Sequence, residues 1–212
     1  MRKYQIQAES LPLPTLTDAV FDPDNCAFTK ETPFAAIDQY VWPGEYRCEA
    51  RSYVTRGEDH FNVLMCAKEE KIHTSAKKFG DSVCQDSCLE FFFRPVNADK
   101  RYLNFEVNAG GIMLIQIGPS REERTLLVQQ PEGLNIQHSK HEGAWWAIRY
   151  TIPFAMIEAL YGQAPDDVIC GNFYTCDETI HPHFGTWNPV QSDHPDFHRP
   201  ECFGELEFVT GK

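Results

Sequence analysis

The sequence predicts an all-β fold, an antiparallel β-sandwich with one short helix near 153–161. Three observations carry this. Short runs alternate apolar and polar residues with period two, Gly and Pro punctuate them at hairpin spacing, and only one segment has helix-like ends. The cleanest alternation is Tyr102 to Ala109, with Leu103, Phe105 and Val107 on one face and Asn104, Glu106 and Asn108 on the other. Gly110-Gly111 then turns the chain into the apolar run Ile112 to Ile117.

The remaining elements follow in order. Residues 1–35 hold Pro12, Pro14, Pro23 and Pro33 and little periodicity, so they read as an irregular N-terminal wrap, with Thr17 to Phe21 as a short turn of helix or strand. Arg47 to Arg56 alternates like a half-buried strand. Gly57-Glu58-Asp59 joins it to the more apolar His60 to Ala67 as a hairpin. Val83 to Pro95, Trp145 to Ile152, Val168 to Cys176 and Glu205 to Val209 supply further strands. Trp145 and Trp146 are adjacent, so on a strand they point to opposite faces. Pro153 to Tyr161 is the helix, with Pro in its first turn and Gly162 just past its end. No repeat, low-complexity tract or linker interrupts the chain, so 1–212 reads as one domain.

A chain of 212 residues can bury a core without disulfides or metals. Its 42% hydrophobic and 24% charged residues mark it as globular. The formal net charge of −12 repels phosphate backbones, and no basic stripe offsets it, which excludes nucleic acid as a partner. Neutral polar ligands are not penalised. No run approaches the roughly 18 apolar residues that span a bilayer, so no membrane is expected either. Met1-Arg2-Lys3-Tyr4 leads into Gln, Glu and Pro, not into an apolar signal core, which predicts a cytoplasmic location. Of the eight cysteines (26, 48, 66, 84, 88, 170, 176 and 202) none forms a CxxC. Mainly reduced thiols are expected, with Cys66 and Cys88 acting as small buried hydrophobes.

The chemistry concentrates near the C-terminus. Gly171-Asn172-Phe173-Tyr174 leads into a long segment over 176–203, rich in Trp, His, Asn, Asp and Pro. Prolines stiffen such a loop, and loops of this length are usually functional. Aromatic faces beside hydrogen-bonding groups suit a sugar, whose C–H faces stack while its rim of hydroxyls seeks polar partners. Trp187, Phe197, Tyr174 and Trp42 are the candidates for stacking; Glu106, Asn108, Asn172, His194 and Arg199 are the candidates for hydroxyl contacts.

Three blocks are similar to the family 9 carbohydrate-binding modules, in particular to the free-standing family-9-like subgroup. They are Gln85-Asp86-Ser87-Cys88-Leu89-Glu90-Phe91-Phe92, then Asn104-Phe105-Glu106-Val107-Asn108, then Trp187-Asn188-Pro189 with Phe197-His198-Arg199-Pro200-Glu201-Cys202-Phe203-Gly204. Their order and separation agree as well. The resemblance implies a jelly-roll, DOMON-like β-sandwich that binds sugar without catalysis. It also implies a role in breaking down xylan or other polysaccharides, a partner glycoside hydrolase, and structural calcium. It places the two stacking positions at Val83 and Phe197 and polar contacts at Glu106, Tyr174 and His194.

Other readings stay open. Glu90 and Glu106, on neighbouring strands, could form the carboxylate pair of a small glycoside hydrolase. Asp86 and Glu90 could contact a ligand or calcium, or could order an adjacent loop by hydrogen bonds. His181, His183, His194 and His198 could hold zinc or iron if they converge, His181 and His183 being the best pair, though no HExxH is present. A haem-binding DOMON-like domain is a third class, but Met65, Met113 and Met156 lie in apolar runs that suit a core. GxSxG, P-loop and GxGxxG motifs are absent.

Overall fold

A computed structural model of the chain describes residues 1–209. The strands are β1 (Lys3–Ala8), β2 (Ala35–Ala36), β3 (Glu49–Arg56), β4 (His60–Lys68), β5 (Cys88–Arg94), β6 (Tyr102–Asn108) and β7 (Met113–Gly118). They continue as β8 (Thr125–Leu126), β9 (Gln137–Ser139), β10 (Trp145–Pro153), β11 (Val168–Asp177), β12 (His183–Thr186) and β13 (Gly204–Val209). The helices are α1 (Ala27–Glu31) and α2 (Phe154–Tyr161), with a 3-10 turn at Pro200–Cys202.

Hydrogen bonding runs through the order β8-β7-β6-β5-β11-β13-β1-β3-β4-β10-β9, with β12 on β11 and β2 on β3. The path curls into two facing layers. Phe105 of β6 stacks on Tyr150 of β10 with centroids 5.6 Å apart, and Phe61 of β4 meets Phe93 of β5 edge-on. Pairing is antiparallel except at β1, which lies parallel to both β13 and β3 and so joins the two layers.

Between the layers lies the main core, where alternation puts Leu89, Phe91 and Phe93 of β5 beside Leu103, Phe105 and Val107 of β6. Phe91 stacks on Phe93 at 4.5 Å and on Phe173 of β11 at 4.7 Å. Two smaller clusters cover the outer faces. The N-terminal segment lays Leu16, Phe21 and Phe28 over Tyr53, Leu64, Cys66 and Ala147. The C-terminal segment lays Val190, Phe197 and Phe203 over Phe92, Tyr102 and Tyr174. Trp146 enters the main core and Trp145 the N-terminal cluster, the opposite faces expected of neighbours on a strand.

The strand and helix expectations hold with four differences. Tyr4 and Ile6 alternate into the core, so the lead-in begins with β1, whose longer pairing is with β13 at the other end of the chain. Residues 17–21 form neither helix nor strand, and α1 follows at 27–31 instead. The strand expected from Val83 starts at Cys88, because the Asp86 side chain gathers local donors and holds 83–87 in turns. The 176–203 segment is not structureless: β12 folds back on β11. The helix begins at Phe154 with Pro153 as its N-cap and ends at Gly162, whose φ of 77° is a left-handed cap.

The closing Phe203-Gly204 pair has a packing reason. A Cβ on Gly204 would overlap the Trp187 indole, which is buried against Tyr4 and Phe173. Gly204→Ala is expected to destabilise the fold by about 1–3 kcal/mol, the usual cost of overpacking, measured as a lower midpoint in urea unfolding.

Candidate functional site

The pairing of β5, β6, β7 and β11 sets the site. Residues opposite one another share a face, so the outer face carries three cross-strand rows. Cys176, Cys88 and Asn108 make the first; Tyr174, Glu90, Glu106 and Leu114 the second; Asn172, Phe92, Asn104 and Gln116 the third. A cavity of about 330 Å³ opens over these rows. Glu90, Glu106, Leu114, Gln116 and Cys176 form its floor. Phe184, Pro195, Phe197 and His198 form an aromatic and imidazole wall, and Arg121, Arg124, Glu178 and Asp196 stand at its sides.

The floor is held in place by hydrogen bonds. Asn104 Nδ2 donates to Glu106 Oε1 at 2.7 Å and to Gln116 Oε1 at 3.2 Å. The Cys176 thiol donates to Glu90 Oε1 at 3.3 Å. Burial pushes the Glu106 carboxyl up to about 7, against the Asn104 hydrogen bond and the positive fields of Arg124 and Arg121. Glu90 is raised well above the usual range by burial and by the charge of Glu106 beside it. Like charges directly across a ladder repel, so the pair retains a proton where isolated carboxylates would be ionised. One protonated and one ionised carboxyl together offer both a donor and acceptors to a hydroxyl-rich ligand.

The wall is equally fixed. Phe197 stacks on Tyr174 with centroids 4.2 Å apart, and the Tyr174 hydroxyl donates to the Phe197 carbonyl at 3.0 Å. Trp42 and Phe184 flank Phe197 at 5.9 and 6.1 Å. His198 Nδ1 lies 2.9 Å from the Tyr102 hydroxyl, and burial with the nearby Arg124 and Arg121 drives the imidazole pKa down to about 2, so it is neutral. Arg121 pairs with Asp196 at 2.9 Å.

Among the residues expected at the site, Glu106 and Phe197 line the cavity together with Glu90. Tyr174 lies fully buried beneath Phe197 and supports the wall from below. Trp187 points into the main core and offers no free face. Trp42 is buried, its Nε1 donating to the Ser192 carbonyl. Val83 is fully buried in the outer cluster. Asn108 and Asn172 are spent on backbone and side-chain partners within the sheet. His194 and Arg199 lie on a separate shallow hollow with Gln191, Ser192 and Asp193, and Arg199 pairs with Glu201 at 2.8 Å. Arg121, Arg124, Phe184, Asp196 and Glu178 were not singled out from sequence. The charged Ser120-Arg121-Glu122-Glu123-Arg124 loop after β7 was the available signal.

The four loop histidines do not converge. His198 packs on Phe92, His183 on Cys48 and Thr175, and His181 on Tyr46, while His194 sits on the outer hollow. Met65 and Met113 are core residues and Met156 packs against the core. Asp86 does not suit calcium. Its Oδ1 takes the Ser75 amide and hydroxyl at 2.7 and 2.6 Å, and its Oδ2 takes the Ala76 amide and Asn108 Nδ2 at 3.1 and 2.7 Å. Both oxygens are committed to ordering the 73–76 loop, whereas calcium needs six to eight oxygen ligands.

The profile of carbohydrate-binding family 9 matches residues 23–208. The chain belongs to carbohydrate-binding family 9. Three solved structures show the same fold. A protein from Bacteroides uniformis ATCC 8492, provisionally described as carbohydrate-binding, is 24% identical with a TM-score of 0.77, over 98% of this chain and 99% of its own. A family 9 module from Caldicellulosiruptor kristjanssonii in complex with cellotriose is 10% identical with a TM-score of 0.64, over 100% of this chain and 95% of its own. The same description in complex with glucose gives 10% and 0.65, over 100% and 97%. No curated protein matches the sequence.

The carboxyl pair makes a pH prediction. An acid whose folded pKa lies above its unfolded value binds more protons when folded, so its contribution is full below the ordinary value of 4.5 and is lost as pH rises through about 7. Glu106 is expected to account for about 3 kcal/mol of declining stability across that window. Urea unfolding at a series of pH values should show that decline in the wild type, and Glu106→Gln should make it shallower, leaving the part due to Glu69 and Glu90, whose carboxyls burial also raises.

Proposed function

We propose that the cavity over β5 and β6 binds the end of a mono- or oligosaccharide without transforming it. The observation that carries this is the meeting of a polar floor, Glu90, Glu106 and Gln116, with the wall of Phe184 and Phe197. A sugar ring needs both kinds of surface at once, hydroxyl partners below and an apolar edge beside. A volume of about 330 Å³ lies at the small end of ligand pockets, which favours one ring over a long chain. Membership of carbohydrate-binding family 9 and the relatives bound to glucose and cellotriose support the same reading. A role beside a partner glycoside hydrolase in polysaccharide breakdown, xylan included, extends this proposal.

A second reading rests on one specific observation, the direct pairing of Glu90 with Glu106 inside a cavity. Opposite residues on one ladder stand about 5 Å apart at Cβ, close to the separation of a retaining carboxylate pair. Both, however, rise from the same face of the same sheet. Glycoside cleavage requires the two groups to flank the scissile bond, and a parallel pair approaches a ligand from one side. Binding is therefore the better account.

Calorimetric titration with glucose, cellobiose and xylobiose is expected to give saturable binding to at least one. Glu106→Gln and Arg121→Ala, with folding checked by circular dichroism, should each weaken it about tenfold, or about 1.4 kcal/mol. Silence towards every mono- and oligosaccharide on a glycan array would overturn the proposal. Turnover of an aryl glycoside that disappears in Glu106→Gln would favour the hydrolase.

A further inference from the structure

A second group of reactive side chains lies at the end of the sandwich where β3 starts and β4 stops, and none of its members lines the carbohydrate cavity. Cys48 immediately precedes β3, Glu69 immediately follows β4, Thr175 lies on β11, and His183 opens β12. Glu49 pairs with Lys68 and Asp177 with His183, so the two hairpins carry these side chains to one place. We propose that Cys48, His183 and Glu69 bind one transition-metal cation of the zinc type.

The spacing is the first support. Cys48 Sγ lies 3.5 Å from His183 Nε2 and 3.6 Å from Thr175 Oγ1, which is itself 3.4 Å from Nε2. Tetrahedral zinc, with ligands at about 2.0–2.3 Å, has neighbouring ligand atoms about 3.3–3.8 Å apart, and the separation of Cys48 Sγ from His183 Nε2 lies in that range. Ligand atoms of Cys48, Glu69 and His183 all lie within 4.8 Å of one another, so the carboxylate is close enough to complete a three-residue ligand set.

The protonation state of the imidazole is the second. His183 Nδ1 is 2.7 Å from the His181 carbonyl, which can only accept, so Nδ1 carries the hydrogen. Nε2 therefore turns an unshared pair towards the Cys48 sulfur. A backbone carbonyl fixing the far nitrogen is the usual arrangement behind a metal-bound histidine. Trp146 Nε1 and the Ser87 hydroxyl likewise hold Glu69, donating to Oε1 at 3.0 Å and Oε2 at 2.9 Å.

Charge is the third. Asp177 is satisfied by the Thr179 amide and hydroxyl and the Ile180 amide, but Glu69 is buried beside it and among the described residues forms no ion pair with Lys or Arg. Uncompensated buried charge is costly, and a divalent cation would neutralise it. A thiol and an imidazole are soft and borderline ligands, which select zinc or its neighbours over calcium. On binding, the Cys48 thiol releases its proton to solvent and the thiolate forms the metal–sulfur bond.

Cobalt(II) tests this in the full chain, stripped of metal by refolding in chelator. One equivalent is expected to give the near-ultraviolet absorption of a thiolate–cobalt bond and the visible bands of tetrahedral cobalt, both displaced by zinc. Cys48→Ser should lose the near-ultraviolet band and Cys176→Ser should keep it. Zinc should raise the melting temperature of the wild type and not that of Cys48→Ser. If Cys48→Ser does not fold, His183→Gln should shift or abolish the visible bands. Sub-stoichiometric metal in the wild type, or a sulfur–cobalt band that survives Cys48→Ser, overturns the proposal.

Discussion

The register of β5 between β6 and β11 is the constraint on which the rest of the structure depends. Phe91 must face the core, where it stacks on Phe93 and Phe173. A one-residue slip would turn these rings to the outer face and drive Glu90 into the space between the layers. The same constraint that builds the apolar core therefore delivers Glu90 and Glu106, side by side, to the outer face. Cavity floor and hydrophobic core are two sides of the same strands.

Keeping two carboxyls together there has an electrostatic cost, and the surroundings reduce it without removing it. Asn104 donates to Glu106 and Cys176 to Glu90, while Arg121 and Arg124 add positive field from the side. Arg121 is engaged with Asp196, so it balances the mouth of the cavity more than its floor. The floor is left proton-sharing and polar, and His198 beside it is neutral. That is a surface for hydroxyl groups, with little net charge to attract or repel a neutral ligand.

Local pattern made some of this legible. The period-two alternation of 102–108 located β6 and put Glu106 on the face away from the core, and Pro153 with Gly162 bracketed the helix. What escaped was long-range. Lys3-Tyr4-Gln5-Ile6 also alternates, but its partner is the last strand, and parallel pairing leaves no turn signal between neighbours. Trp187 resembles a stacking residue because it stands in an aromatic loop. The sign that it is core was Gly204, a distant residue that must lack a Cβ for the indole to fit. Tyr174 belongs to the outer row, but Phe197 folds back over it from more than twenty residues away, which composition cannot show.

The two stacking positions that the family resemblance implies do not form a pair of facing rings. One stacking position implied by the family resemblance is Val83, fully buried, so no second aromatic plate rises from that side. The other is Phe197, one face of which is already occupied by Tyr174 at 4.2 Å. Its exposed surface amounts to 8% of the residue. A ring committed in this way supplies a rigid apolar edge at low ordering cost, but little area. Under the proposed function, discrimination among ligands comes mainly from the hydrogen-bond pattern of Glu90, Glu106 and Gln116. Groups built to pair with specific hydroxyls reject a ligand that lacks them, because buried polar atoms are left unsatisfied. A clamp made of two aromatic faces would be tolerant of hydroxyl position; a polar floor with one aromatic edge is selective for it.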